Sequence, residues 1–340
     1  MKVLVLGASG FIGGAVAAHL EGSGHEVSAF HRPGADVDAP RVVRGTLGDP
    51  ERIAAAAKGV DAVVHAAGLV SSRSSARALQ WTHVAGTENV VNACRHAGVP
   101  RLVLMSCADV TLGNLERVQW DENKQVAGRP FGERARSLQL AEEVALSAAG
   151  LDVVALRPAW VWGPGDTSRL PGLCREGLDG GIRLVGSGTT YMATTYIEHL
   201  TVAVESALTA SAETVAGRPF HLADPVFQHA RDFFSALSER LDLPPPRTGA
   251  AFALRWPLAR IGQGPLTADE VLQRGRSTLL DFNAAIGKLG YEPDIAMETG
   301  LDRLAAWVEA EGGVRAVAEL ERAPSTDAAV DQQVAAAGGD

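Results

Sequence analysis

The chain has 340 residues, of which 46% are hydrophobic and 21% charged, with a formal net charge of −9. That balance is ordinary for a folded domain, or two sharing a core, and it argues against general binding to nucleic acid or an anionic membrane. Cys94, Cys107 and Cys174 lie far apart without metal-ligand spacing, and an odd number leaves one unpaired, as in a reducing cytoplasm. No metal site, signal peptide or membrane span is expected: the chain enters a strand at once, and no apolar run reaches about 18 residues.

The first stretch, MKVLVLGASGFIGG, is the most informative. Val3–Leu6 reads as a short buried strand. Gly7, Gly10 and Gly13 follow at a spacing of three, and Phe11 opens an apolar helical pattern that runs to about Leu20. Glycine permits a turn that a Cβ would block, and the helix N-terminus presents its positive end to an anion. Strand, glycine turn and helix in that order predict a dinucleotide site. Gly22-Ser23-Gly24 stops the helix, and Val27–Phe30 forms a second strand ending at His31-Arg32-Pro33-Gly34. Arg41–Arg44 is a third strand, Ile53–Ala57 a helix and Ala62–Ala66 a fourth strand. Leu79–Ala97 is a long helix, Leu102–Met105 a fifth strand, Glu133–Ala148 a helix and Val153–Leu156 a sixth strand. Short apolar runs alternating with helices predict an α/β fold, a Rossmann-type doubly wound parallel sheet with a smaller C-terminal substrate lobe. Residues 1–165 form the dinucleotide-binding domain on this reading, with 195–222 returning to it. Residues 166–194 and 223–322 build the lobe, and 323–340 is a polar, small-residue tail expected to be disordered.

GASGFIGG, VRGTLGDP (Val43–Pro50), HAAG (His65–Gly68), HVAGTENVV (His83–Val91) and LRPAWVWGPGD (Leu156–Asp166) occur in an order that resembles the extended short-chain dehydrogenase/reductases. The resemblance runs from Met1 to about Val308. It implies that Gly7, Ser9, Gly10, Phe11, Ile12 and Gly13 hold the pyrophosphate, and that Ala66, Ala67 and Gly68 lie beneath the ribose and nicotinamide. It implies also that Thr46 and Leu47 border the adenine, Thr46 replacing the family's usual Asp. The second strand ends in Arg32 rather than an acid, and a guanidinium suits a 2′-phosphate, so NADP(H) is favoured over NAD(H). Arg32 as a merely solvated loop residue is the plain alternative. A homodimer through the two long helices is usual for the family.

The catalytic pattern departs from the family. A Tyr whose pKa is lowered by a Lys four residues on would donate the proton, with a Ser or Thr holding the carbonyl. Aligned on Ala141-Glu142, the Tyr position holds Arg134 and the Lys position Leu138; Cys107 stands at the Ser/Thr position and His83 at a supporting Asn. Losing one positioned acid typically costs about 10²–10⁴ in rate, so the usual Tyr mechanism is excluded. Arg134 could stabilise an oxyanion; His83 could act as acid or base, or be structural; Cys107 could be a nucleophile or a small hydrophobe; Asp109 could face the same pocket. Trp81, Phe131, Trp160, Trp162 and Met192 are read as lining a pocket for a small apolar or aromatic substrate. Met192 takes the place of an Arg found in nucleotide-sugar enzymes of the family, which disfavours such sugars. Three functions follow: an NADP(H)-dependent reductase with a non-standard proton relay, a non-redox cyclase, isomerase or dehydratase, or a non-catalytic cofactor sensor.

Overall fold

A computed structural model describes residues 1–35, 39–69, 74–111, 117–122 and 132–320. In chain order the first half contains β1 (Lys2–Leu6), α1 (Phe11–Gly22), β2 (Glu26–His31), β3 (Val42–Arg44), α2 (Pro50–Ala57) and β4 (Ala62–His65). Then α3 (Ala76–Leu79), a π-helical turn (Gln80–Ala85) and α4 (Gly86–Ala97) run on as one helix. They are followed by β5 (Arg101–Met105), a 3₁₀ turn (Ala108–Thr111), β6 (Arg117–Trp120), α5 (Glu133–Leu146) and β7 (Asp152–Pro158).

Seven parallel strands lie in the order β10–β7–β5–β4–β1–β2–β3, where β10 is Arg218–Leu222. The order reverses beside β1, which opens a crevice at the carboxyl ends of the strands. The β1 side chains show why this stretch is apolar on both faces. Val3 and Val5 pack with α1 and with α7 (Ile197–Thr209), whereas Leu4 and Leu6 pack with Ile53 of α2 and Val90 of α4. Covered on both sides, a parallel strand reads as a continuous hydrophobic run. Local chemistry sets the helix starts. Asp49 accepts the Arg52 amide to cap α2, with Pro50 behind it, and Ser75 accepts the Ala78 amide to cap α3. The long helix thus begins at Ala76, ahead of the Leu79 expected from periodicity, because the capping serine lies outside the apolar pattern.

The C-terminal half adds β8 (Trp160–Trp162), α6 (Leu170–Leu178), β9 (Thr194–Tyr196), α7, α8 (Ala212–Val215), β10 and α9 (Ala230–Arg240). It continues with α10 (Phe252–Arg260), α11 (Ala268–Gly275), β11 (Thr278–Leu280), α12 (Asn283–Leu289), α13 (Met297–Ala310) and α14 (Val314–Glu319). β8 pairs with β9, and β11 with β6. Buried Asp224 fastens this layer to the sheet edge. Its carboxylate accepts from Trp162 Nε1, Thr194 Oγ1, the Tyr196 amide and His199 Nδ1, all at 2.8–2.9 Å. The C-terminal tail expected to be disordered lies outside the described residues.

Candidate active site

Every segment singled out by sequence ends at the carboxyl edge of the sheet, which is where the parallel topology leaves a crevice. The glycine turn is built by close backbone approach. Gly7 has φ +88°, and a Cβ there would lie 2.6 Å from the Ala67 amide nitrogen; at Gly13 a Cβ would lie 2.2 Å from the Gly7 carbonyl oxygen. Both positions exclude any side chain. Gly10 differs: a Cβ would meet only the Gly7 oxygen, at 3.4 Å. It precedes α1 with no side-chain cap and no acid in the first turn, so the first amides of a 12-residue helix stay open to an anion. These features fit a dinucleotide pyrophosphate held by Gly7–Gly13.

At the adenosine end, β2 pairs with β3 so that His31 stands opposite Arg44. Arg32 and Arg44 are exposed there, and neither has an ion-pair partner among the described residues. Arg44 was not singled out by sequence; the β2–β3 register places it opposite His31, the residue before Arg32. Asp49, capping α2 and 3.2 Å from Arg52, does not take the role of the missing adenine-binding acid. Leu47 is buried, its carbonyl accepting from Asn89 Nδ2 at 2.8 Å. Trp81, expected in the substrate pocket, packs instead on Gly48, where a Cβ would lie 2.9 Å from the indole. The π turn, rather than α-helical spacing, sets the direction of Trp81 and His83.

His83 has both ring nitrogens engaged. The Leu69 amide donates to Nε2 at 3.0 Å, so Nδ1 carries the proton and donates to Ser137 Oγ at 2.7 Å; Ser137 in turn donates to the Arg134 carbonyl. Burial, reinforced by the Arg134 cation, pushes its pKa down to about 3. It is a neutral tie between the loop after β4 and α5, not an acid or base near neutrality. His65, buried against Thr87 Oγ1, is likewise held down, to about 4, by burial.

Arg134 is the centre of the site. Its Nη1 donates to Asp109 Oδ2 at 3.2 Å and approaches Cys107 Sγ at 3.8 Å, while its Nε is buried without a partner among the described residues. Burial opposes the charge, but Cys107, Asp109 and Asp269 outweigh it and raise the pKa, so the group stays cationic. Burial pushes the Cys107 thiol up to about 11 in spite of Arg134, leaving a protonated small hydrophobe. Asp109 also accepts from Gln273 Nε2 at 2.6 Å, and Gln273 Oε1 accepts from Arg169 Nη1 at 3.3 Å. Burial raises Asp269, on the first turn of α11, to about 6 against the pull of Arg134. Asp269, Gln273 and Arg169 carry no motif in the sequence; α11 supplies the first two and the residue before α6 the third.

A cavity of about 30 Å³ lies beside this cluster, lined by residues that include Asp109, Trp160, Met192, Gln273 and Thr278. It is small, with room for little more than a water molecule. Trp160 and Met192 both line this cavity. Trp162 shares a face with Trp160 but is tilted on Tyr196 and bonded to Asp224, and it lines a second small cavity with Trp160 and Phe233 rather than the one beside Asp109. Phe131 lies outside the described residues.

These features have counterparts in known proteins. Over 329 residues, 90% of this chain and 99% of the other, the chain is 34% identical to a 2-alkyl-3-oxoalkanoate reductase of Stenotrophomonas maltophilia. It is 28% identical, over 89% of its length and 96% of the other's, to 4-hydroxy-2-methyl-3-oxo-4-farnesyl-3,4-dihydroquinoline-1-oxide ketoreductase of Stigmatella aurantiaca. Among solved structures, MoeE5 in complex with UDP-glucuronic acid and NAD superposes with a TM-score of 0.75 at 25% identity, covering 92% of this chain and 100% of that one. The profile of the NAD dependent epimerase/dehydratase family matches residues 3–223, from β1 through β10. With the glycine turn, the strand order and the full-length likeness in agreement, the chain belongs to that family.

Proposed function

We propose that the protein is a nicotinamide-dependent ketoreductase acting on an apolar small molecule, in which the Arg134 cation takes over from the family's tyrosine the task of stabilising the developing oxyanion. The observation that carries this reading is a buried guanidinium paired with Asp109, a residue lining the cavity, in a chain whose glycine turn fits a dinucleotide. Likeness over nearly the whole chain to two enzymes named as reductases of 3-oxo compounds adds support.

Gly7–Gly13 would hold the pyrophosphate, Ala66–Gly68 the nicotinamide side and Arg32 with Arg44 a 2′-phosphate, so NADP(H) is the preferred cofactor. When bound, that cofactor supplies a hydride. The chain's own contribution is electrostatic: Arg134 is fixed by Asp109 and by the His83–Ser137 tie, so a carbonyl oxygen directed at its free Nε–H gains a preorganised cation. The guanidinium stays charged and does not release its proton. Asp269, poised near pH 6 beside it, is the acid available to the alkoxide.

The test is turnover of a 2-alkyl-3-oxoalkanoate with NADPH deuterated at C4. Deuterium at C3 of a hydroxy product is the expected result. Conversion of substrate without label transfer would replace this reading by a non-redox isomerase or dehydratase. Arg134 and Leu138, standing where Tyr and Lys are usual, favour that second reading.

A further inference from the structure

We propose that Arg169 recognises a carboxylate on the substrate, so that the pocket takes an apolar chain bearing a free acid rather than a neutral molecule. This deepens the ketoreductase reading as to substrate class, although the anion site itself stands whether or not the reaction is redox. It also amends the expectation of a purely apolar ligand.

The argument begins with charge that lacks a counterion. Arg101, Arg134, Arg157 and Arg274 are well enclosed, and each has a carboxylate oxygen within 4 Å. Arg169 is largely enclosed too, yet no carboxylate reaches it within that distance among the described residues. Its Nη1 meets the neutral Gln273 amide oxygen at 3.3 Å, and its guanidinium lies over the Trp160 ring at 4.2 Å from the centroid. The acids around it are committed elsewhere. Asp109 is engaged by Arg134 and Gln273, and Asp166 accepts from Ser168 and from the amide of Arg169 itself. Asp269 faces it as well, its pKa raised by burial to about 6, but no oxygen of that acid lies within 4 Å of the guanidinium. Burial and the Arg134 cation both disfavour the charge on Arg169, as for a cation lacking its anion.

The position of that cation points to a ligand. Trp160 and Gln273, the two side chains that touch the guanidinium, both line the cavity. The Trp160 face holds the guanidinium plane, and Met192, Ala159 and Ala193 supply apolar wall on the same cavity. A planar fork beside an apolar wall matches a carboxylate on an alkyl chain. A ligand carboxylate exchanging for the Gln273 amide oxygen would supply Arg169 with the counterion it lacks.

Two measurements on the full chain test this. Steady-state NADPH oxidation is compared for a 2-alkyl-3-oxoalkanoate and its methyl ester, with wild type, Arg169→Gln and Arg169→Lys. Loss of a charged hydrogen-bond partner is expected to raise KM for the acid about 10–100-fold in Arg169→Gln, with kcat little changed and the ester unaffected, and Arg169→Lys is expected to recover part of it. Calorimetry of decanoate against methyl decanoate, in the presence of NADP⁺, asks the same question without turnover; NADP⁺ affinity reports that each variant is folded. Selective loss of decanoate binding in Arg169→Gln supports the proposal even if no substrate is reduced, a result that would sink only the ketoreductase reading. Equal binding of acid and ester by wild type, or equal loss of both in the variant, overturns it.

Discussion

Arg134 is the proposed oxyanion donor, and its contacts with Asp109 and Cys107 define what it can do. Arg134→Leu removes the oxyanion donor and leaves Asp109 without its cation; a fall in kcat of about 10²–10³ is expected, with Arg134→Lys intermediate, in an NADPH-oxidation assay. Cys107→Ala, by contrast, is expected to change kcat less than about tenfold, because a thiol whose pKa is pushed up to about 11 offers no thiolate near neutrality. The two buried histidines leave a signature in stability rather than in rate. Their folded pKa values, about 3 for His83 and about 4 for His65, lie below the ordinary 6.5, so as pH falls below 6.5 the unfolded chain binds protons that the folded one refuses. Stability therefore drops on acidification, with a slope of about 1.4 kcal/mol per pH unit for each group. Asp269, raised from 3.8 to about 6, has the opposite sign and offsets one of them between those values. Urea titrations at pH 7 and pH 5 measure the balance; His83→Asn flattens the slope if the assignment is right.

At the scale of elements, the turn between β1 and α1 separates two kinds of glycine. Gly13→Ala drives a Cβ to 2.2 Å from the Gly7 oxygen and is expected to lower the melting temperature of the protein itself. Gly10→Ala meets only ordinary crowding and should fold normally, while its methyl group intrudes on the phosphate seat and weakens NADP⁺ binding at least about tenfold. Thermal unfolding beside cofactor titration distinguishes the two; equal melting losses would refute the distinction. The helices show the same split between local and tertiary causes. α2 and α3 start where Asp49 and Ser75 cap them, but the π turn that directs Trp81 away from the pocket and His83 into α5 has no local sequence signal.

Across the whole molecule, the two halves are joined by polar groups as well as by apolar packing. Asp224 collects four donors from β8, β9 and α7 just beyond the end of β10. Asp224→Ala leaves them unpaired in a dry interior, and a loss of about 3–5 kcal/mol is expected in urea unfolding. The candidate site draws on both halves of the chain. Arg134 comes from α5, Asp109 from the turn after β5, Arg169 from the start of α6, and Asp269 with Gln273 from α11.

The sequence by itself determined the fold class and the glycine turn after β1. Those depend on nearest-neighbour chemistry, namely strand and helix periodicity and a backbone turn that only glycine permits, all written within a few residues of one another. The departure from the Tyr–Lys pair is legible only against the family pattern that the chain resembles. Tertiary structure alone decided that His83 is spent on the Leu69 amide and Ser137, that Trp81 packs on Gly48, and that Arg44 stands opposite His31. It also brought Asp269 and Gln273 to within reach of Arg134, from more than 130 residues along the chain. The physical reason is that electrostatics and burial act through space: a charge is made costly or useful by groups that α11 and the loop before α6 carry into the crevice, and no spacing along the chain encodes that meeting.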